Sequence, residues 1–206
     1  MIALDALLVL AVVQPVPRPE TDRDAELVAR HRGGDRAAFG ELYRRHVDAV
    51  YRRITRLVGP VAEREDLTQD VFLGLYRALP GFRGEAALST LLYRIAVNVA
   101  CEHLRRRTRR PTVALDDAVL DRLVAPEATP EATARRREEL ARVLGCLDRI
   151  KPKKRVALIL RVCEEMSFEE IADVVEATPD AVAKRVQHGM RELQHHLARA
   201  EAKETP

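Results

Sequence analysis

The 206-residue chain has no tryptophan, and phenylalanine and tyrosine bring its aromatic share to only 4%. Any ring outside a core therefore stands out. Cysteine is scarce as well: Cys101, Cys146 and Cys163 are far apart and form no CxxC pair. That excludes a disulfide framework, and the thiols read as the reduced, buried cysteines of a cytoplasmic protein. A structural zinc site is a poor fit too, since His195-His196 has no cysteine nearby. No apolar run is long enough to cross a bilayer. Residues 2–13 are apolar apart from Asp5, but too short for a spanning helix, and they lack the basic start of a signal peptide. Metal-carboxylate cluster, nucleophile triad and P-loop are all missing, which argues against an enzyme and implies no cofactor, no metal and no small-molecule substrate. No internal repeat occurs, and no alternating pattern is long enough to make a strand.

What remains is helical. With 47% hydrophobic residues the chain can bury cores, and its length allows one large or two small domains. Net charge is only +3, yet the arginines are clustered, so the basic character is local and suits a polyanion. The expected class is all-α: two small helical domains, at 24–110 and 135–199, the second with four helices and a helix-turn-helix. An extension and Pro-rich segment (1–23) precedes them and a tail (200–206) follows. Between them, 111–134 carries Pro111, Pro126, Pro130 and little apolar periodicity, the composition of a flexible linker. A short helix could form at 116–123.

Residues 65–110 are the richest stretch. On their first helix, Leu67, Val71, Gly74, Leu75 and Ala78 share one side at 100° per residue. Glu65, Asp66, Gln69, Asp70 and Arg77 share the other, with Leu73 among them. An apolar residue ringed by polar ones is either an ordinary exposed leucine or the centre of a contact patch. Pro80 and Gly81 stop the helix. The following loop, Gly81-Phe82-Arg83-Gly84-Glu85, has the parts needed to hold an unstacked base: a ring, a planar cation and permissive glycines. It could equally be a helix connection whose Phe82 plugs the core. Ser89 is placed to cap the next helix. There Leu88, Leu92, Ile95, Ala96, Val99 and His103 make an inner face, and Arg94, Asn98, Cys101 and Arg105 an outer stripe. The helix runs into Arg105-Arg106-Arg107-Thr108-Arg109-Arg110. A helix dipole favours some arginines at this end, but the density of the run points to phosphate.

Asp66-Leu67-Thr68-Gln69-Asp70-Val71-Phe72, Leu79-Pro80-Gly81-Phe82-Arg83-Gly84-Glu85, and Leu88-Ser89-Thr90 with Leu92-Tyr93-Arg94-Ile95-Ala96 resemble the second conserved region of extracytoplasmic-function sigma factors. These are small promoter-specificity subunits of bacterial RNA polymerase. The likeness continues upstream through Asp35-Arg36-Ala37-Ala38-Phe39 and Leu42-Tyr43-Arg44-Arg45-His46. It implies that Asp66, Gln69, Asp70 and Leu73 dock on the clamp coiled coil of the polymerase largest subunit. It also implies that the loop captures a flipped base of the promoter −10 element. The −10 set is then Phe82, Arg83, Gly84, Ser89, Arg94, Asn98, Arg105 and Arg106. One departure is Leu91, where the family usually has tryptophan; leucine keeps apolar packing but loses a broad aromatic face.

In the second domain, Leu140, Val143, Leu144, Leu147 and Ile150 mark one helix, and Pro152 opens a second with Val156, Ile159, Leu160 and Cys163 inward. Ser167-Phe168-Glu169-Glu170 is a capping box, and Ile171, Val174 and Val175 carry that helix into the core. After Glu176-Ala177, Thr178 can cap and Pro179 begin a fourth helix. So short a separation is the spacing of a helix-turn-helix. Val182, Val186, Gly189, Met190, Leu193 and Leu197 line its core side. Lys184, Arg185, Gln187, His188 and Arg191 project from the other, supplying donors for guanine edges and phosphates. Residues 144–193 also resemble the fourth conserved region of the same family, which reads the −35 element. Glu176 replaces a usual turn glycine there, and Ala183 a usual polar residue.

The expected function is a sigma factor that binds core RNA polymerase through its clamp and flap, selects promoter DNA and assists melting. Factors of this type are commonly held by an anti-sigma protein, and the linker would let the two domains be sequestered separately. The alternative is a free-standing helix-turn-helix repressor or activator.

Overall fold

The computed structural model describes residues 21–84, 86–109 and 129–204, and every regular element among them is helical. The apolar extension and the short helix expected at 116–123 lie outside the described residues. The first domain comprises α1 (Thr21–Arg32), α2 (Arg36–Val58), α3 (Arg64–Ala78), a 3-10 turn (Leu79–Gly81) and α4 (Leu88–Arg109). The second comprises α5 (Pro130–Leu147), α6 (Pro152–Val162), α7 (Phe168–Val175) and α8 (Pro179–Glu204).

Local chemistry sets most boundaries. Asp35 caps α2 by accepting from the Ala37 amide at 2.9 Å, and Gly59 ends that helix at φ 88°. Pro80 falls in the 3-10 turn that closes α3, as the sequence suggests. α4 starts two residues earlier than a cap at Ser89 would place it. The Ala87 carbonyl accepts from the Thr90 and Leu91 amides, so Ser89 sits inside the first turn and does not cap it. Thr129 caps α5 through the Ala132 amide at 3.2 Å, with Pro130 in the first turn; the helix thus begins ahead of Arg135, the expected start of the second domain, and takes in the end of the expected linker.

In the first domain α2 packs on α1, α3 and α4, and α3 packs on α4. Leu42, Val50, Ile54, Val71, Leu75, Leu79 and Leu92 are buried between them. Gly74 is required where α3 crosses α4: a Cβ there would lie 2.8 Å from Ile95 Cγ2. In the second domain α8 packs on α5, α6 and α7 over Leu144, Leu147, Ile159, Leu160, Ile171, Val182 and Leu193.

The two domains touch. α4 packs against α6 and α7, and α2 against α6. This explains a second buried face on α4: Val97, Cys101 and Leu104 are 2%, 8% and 4% exposed, on the side opposite Leu88, Leu92 and Val99. The seam is charged. Arg155, 1% exposed, donates from Nε to the Leu57 carbonyl at 3.1 Å and pairs with Asp148. Arg107 reaches the same carboxylate at 2.6 Å. Arg56, 3% exposed, pairs with Glu164. Gly59 lies under the second domain; a Cβ on it would come 3.4 Å from Leu144 Cδ2 and 3.5 Å from Arg155 Nη2.

Candidate polymerase and nucleic-acid interfaces

Three large hydrophobic side chains are exposed among the described residues: Tyr43 at 37%, Leu73 at 53% and Tyr76 at 50%. All lie on α2 and α3. Asp66, Gln69 and Asp70 share the exposed face of α3 with Leu73, while Leu67, Val71 and Leu75 fill the core. The four residues expected to touch polymerase therefore form one solvent-facing surface. An aromatic group borders it that periodicity did not single out. Tyr43 packs on Phe72 with centroids 4.6 Å apart, and Tyr76 on Phe39 and His31 at 5.1 and 5.3 Å.

Beyond the 3-10 turn, Ala78, Gly81, Phe82, Arg83 and Leu91 line a surface cavity of 290 Å³. Phe82 is half-buried against the core, and its carbonyl accepts from Arg32 at 3.3 Å. Arg83 and Gly84 are exposed, and Gly84 has φ 80°, a conformation side chains disfavour. The core-plug and base-holding readings of Phe82 are thus compatible: one face packs inward while the ring also borders the cavity. Leu91, which substitutes for the family tryptophan, forms a wall of that same cavity. Ser89 is half-buried at the start of α4.

The outer stripe of α4 divides. Asn98, Arg105 and Arg106 are exposed, with Arg106 paired to Glu102 one turn back. Arg94 is half-buried. Cys101 is buried, contrary to its expected place on an outer face, because the second domain covers that side of the helix. Burial pushes its thiol above the usual range, opposed by the positive charges of Arg105, Lys153 and Arg185. Cys163 is pushed up to about 12, again chiefly by burial. All three cysteines are free and buried, and no metal-binding group of His, Cys, Asp or Glu occurs among the described residues.

In the second domain the capping box forms in full: the Glu170 amide donates to Ser167 Oγ at 3.1 Å, and Glu170 Oε2 accepts from the Ser167 amide at 2.8 Å. Glu176 takes φ 50°, ψ 59° at the end of α7, so the residue standing for a turn glycine adopts a left-handed backbone. Thr178 Oγ1 accepts from the Ala181 amide at 3.3 Å and starts α8. On α8, Lys184, Gln187, His188 and Arg191 are exposed and Arg185 is half-buried, while Val182, Leu193 and Leu197 are buried. One face of this helix thus carries all five candidate DNA contacts.

Residues 42–110 match the Sigma-70 region 2 family and residues 140–193 the Sigma-70, region 4 family. The chain is 36% identical to the RNA polymerase sigma-H factor of Pseudomonas aeruginosa, across 80% of its own length and 89% of that protein. The chain belongs to the extracytoplasmic-function sigma factors. It is also 32% identical to the ECF RNA polymerase sigma-E factor of Escherichia coli K12, over 79% of this chain and 88% of that one. Among solved structures, CnrH in complex with the cytosolic domain of CnrY aligns with a TM-score of 0.57 and 26% identity, covering 86% of this chain and 98% of CnrH.

This sigma factor is a promoter-specificity subunit of RNA polymerase. Sigma factors bind core polymerase and promoter DNA, and as a class they are non-enzymatic initiation subunits. A free-standing repressor or activator would leave the region 2 match unexplained. Among the described residues no helix is long and apolar enough to cross a membrane.

Proposed function

We propose that this sigma factor divides promoter recognition between its domains and has no catalysis of its own. Asp66, Gln69, Asp70 and Leu73 hold the polymerase clamp. Phe82, Arg83, Gly84 and Ser89 hold an unstacked −10 base, with Leu91 as an apolar wall. Arg94, Asn98, Arg105 and Arg106 follow the adjoining phosphates. Lys184, Arg185, Gln187, His188 and Arg191 read the −35 duplex. The observation that carries the reading is Leu73, half-exposed and ringed by acids on a face that its own fold leaves uncovered. Its cytoplasmic setting follows from the same role.

The experiment is in vitro transcription with purified core polymerase. Phe82→Ala with Arg83→Ala is expected to lower initiation on a duplex promoter by about tenfold, since stacking on one base contributes ~1–3 kcal/mol. A premelted template should restore part of the loss. Equal losses on both templates, with normal helical content, would leave Phe82 as a core residue only.

An anti-sigma partner is supported by the likeness to CnrH, which was solved bound to the cytosolic domain of CnrY. Affinity capture of the sigma factor from uninduced cells should recover an inhibitor that covers the α3 or α8 face. Full activity on expression, with nothing recovered, would place control in synthesis or degradation.

A further inference from the structure

Arg32 is the last residue of α1 and lies outside the stretch that matches region 2. It is exposed, and its Nη1 donates to the Phe82 carbonyl, 50 residues further on, at 3.3 Å. The Phe82 amide donates in turn to the Leu79 carbonyl at 3.2 Å. Both backbone groups of Phe82 are therefore engaged, which fixes the direction in which the loop leaves the 3-10 turn.

Arg32 stands beside a fixed turn. Asp35 pairs with Arg30 at 2.7 Å and caps α2, and the Gly34 amide donates to the His31 carbonyl at 3.0 Å. The His31 ring packs on Phe39 of α2 and Tyr76 of α3, with centroids 5.5 and 5.3 Å apart. The charge of Arg32 is less constrained. Arg23, Arg30 and Arg45 pair with Glu41, Asp35 and Asp24, whereas Arg32 has no ion pair among the described residues. The helix dipole favours a cation at this end of α1, but it does not account for a guanidinium laid against the loop.

We propose that Arg32 belongs to the −10 site: it holds the loop by the Phe82 carbonyl and contacts, with the rest of its guanidinium fork, the phosphate beside the held base. The inference rests on the reading of Phe82, Arg83 and Gly84 as the holder of an unstacked base. A base stacked on Phe82 brings its own phosphate to the rim of the loop, where Arg32 and Arg83 are both exposed. The fork of an arginine can donate to a carbonyl and to a phosphate oxygen at once, which a single ammonium does less well. A loop held before the strand arrives also costs less to order on binding.

The test uses holoenzyme made with the full-length chain, and a forked template whose −10 non-template strand is already single. Arg32→Ala is expected to lower affinity about tenfold, the worth of one charge-assisted hydrogen bond. The slope of log affinity against log salt should fall by ~0.7, the value for one single-strand phosphate contact. Arg32→Lys keeps a charge for the phosphate but loses the fork, so it should retain most of the slope and relax base preference at the held position. The losses from Arg32→Ala and Phe82→Ala should combine to less than their sum, since both act on one loop. Helical circular dichroism and affinity for core polymerase should match wild type throughout the Arg32 series. If Arg32→Ala binds the fork as wild type does while Phe82→Ala is impaired, the assignment of Arg32 is overturned and the −10 reading stands. If neither substitution impairs binding, the −10 reading itself falls and takes Arg32 with it. A loss of affinity at unchanged salt slope overturns the phosphate contact.

Discussion

Leu73→Ala combined with Asp70→Ala is expected to weaken binding to core polymerase by about 100-fold and to leave the helical circular dichroism unchanged. Both side chains are exposed, so the fold does not depend on them. Burying a leucine contributes ~1.5–3 kcal/mol, and each 1.4 kcal/mol is tenfold in affinity. Loss of the carboxylate adds to that where it meets a basic partner. Competition between wild type and variant for a limiting amount of core polymerase measures the effect. If the variant co-purifies with polymerase as well as wild type does, docking does not centre on Leu73. The aromatic border at Tyr43 and Tyr76 then becomes the surface to change.

Changes on α8 should separate base readers from phosphate contacts. Arg185→Ala and Lys184→Ala should each cost ~1–3 kcal/mol of −35 binding if the side chain reads a base, and should relax preference at one position. A phosphate contact instead weakens all sequences alike and lowers the salt dependence. Arg185 is half-buried on α8, and Lys184 is exposed on the side away from its core face. Holoenzyme binding to a library of −35 variants distinguishes the cases. No change in affinity or preference for either substitution would remove α8 as the reader.

Much of the local geometry around the candidate residues was legible because local rules governed it. Ser167 and Glu170 form their capping box, Thr178 and Pro179 start α8, and Leu73 stands outside the core, each for reasons confined to a few neighbouring residues. The relation between the domains was not legible. Val97, Cys101 and Leu104 repeat at helical spacing, but periodicity does not say which neighbour covers a face, so Cys101 read as part of an outer stripe. Nothing in the sequence singles out Arg56 or Arg155 as buried, because isolated charges rarely are, and their partners Glu164 and Asp148 meet them only after folding. Ser89 misled by type: serine favours the cap position, yet Ala87 supplies the carbonyl that begins α4.

The left-handed backbone at the end of α7 has a counterpart before it, where Glu165 takes φ 55°. The first helix of the helix-turn-helix is thus bracketed by two glutamates in a conformation that disfavours a side chain by roughly 1–2 kcal/mol. Glycine would relieve the strain, and after its own extra chain entropy a gain of up to ~1 kcal/mol remains at each position. Every glutamate codon is one transition from a glycine codon. A more stable reading domain therefore lies a single base change away, at two independent places in the gene.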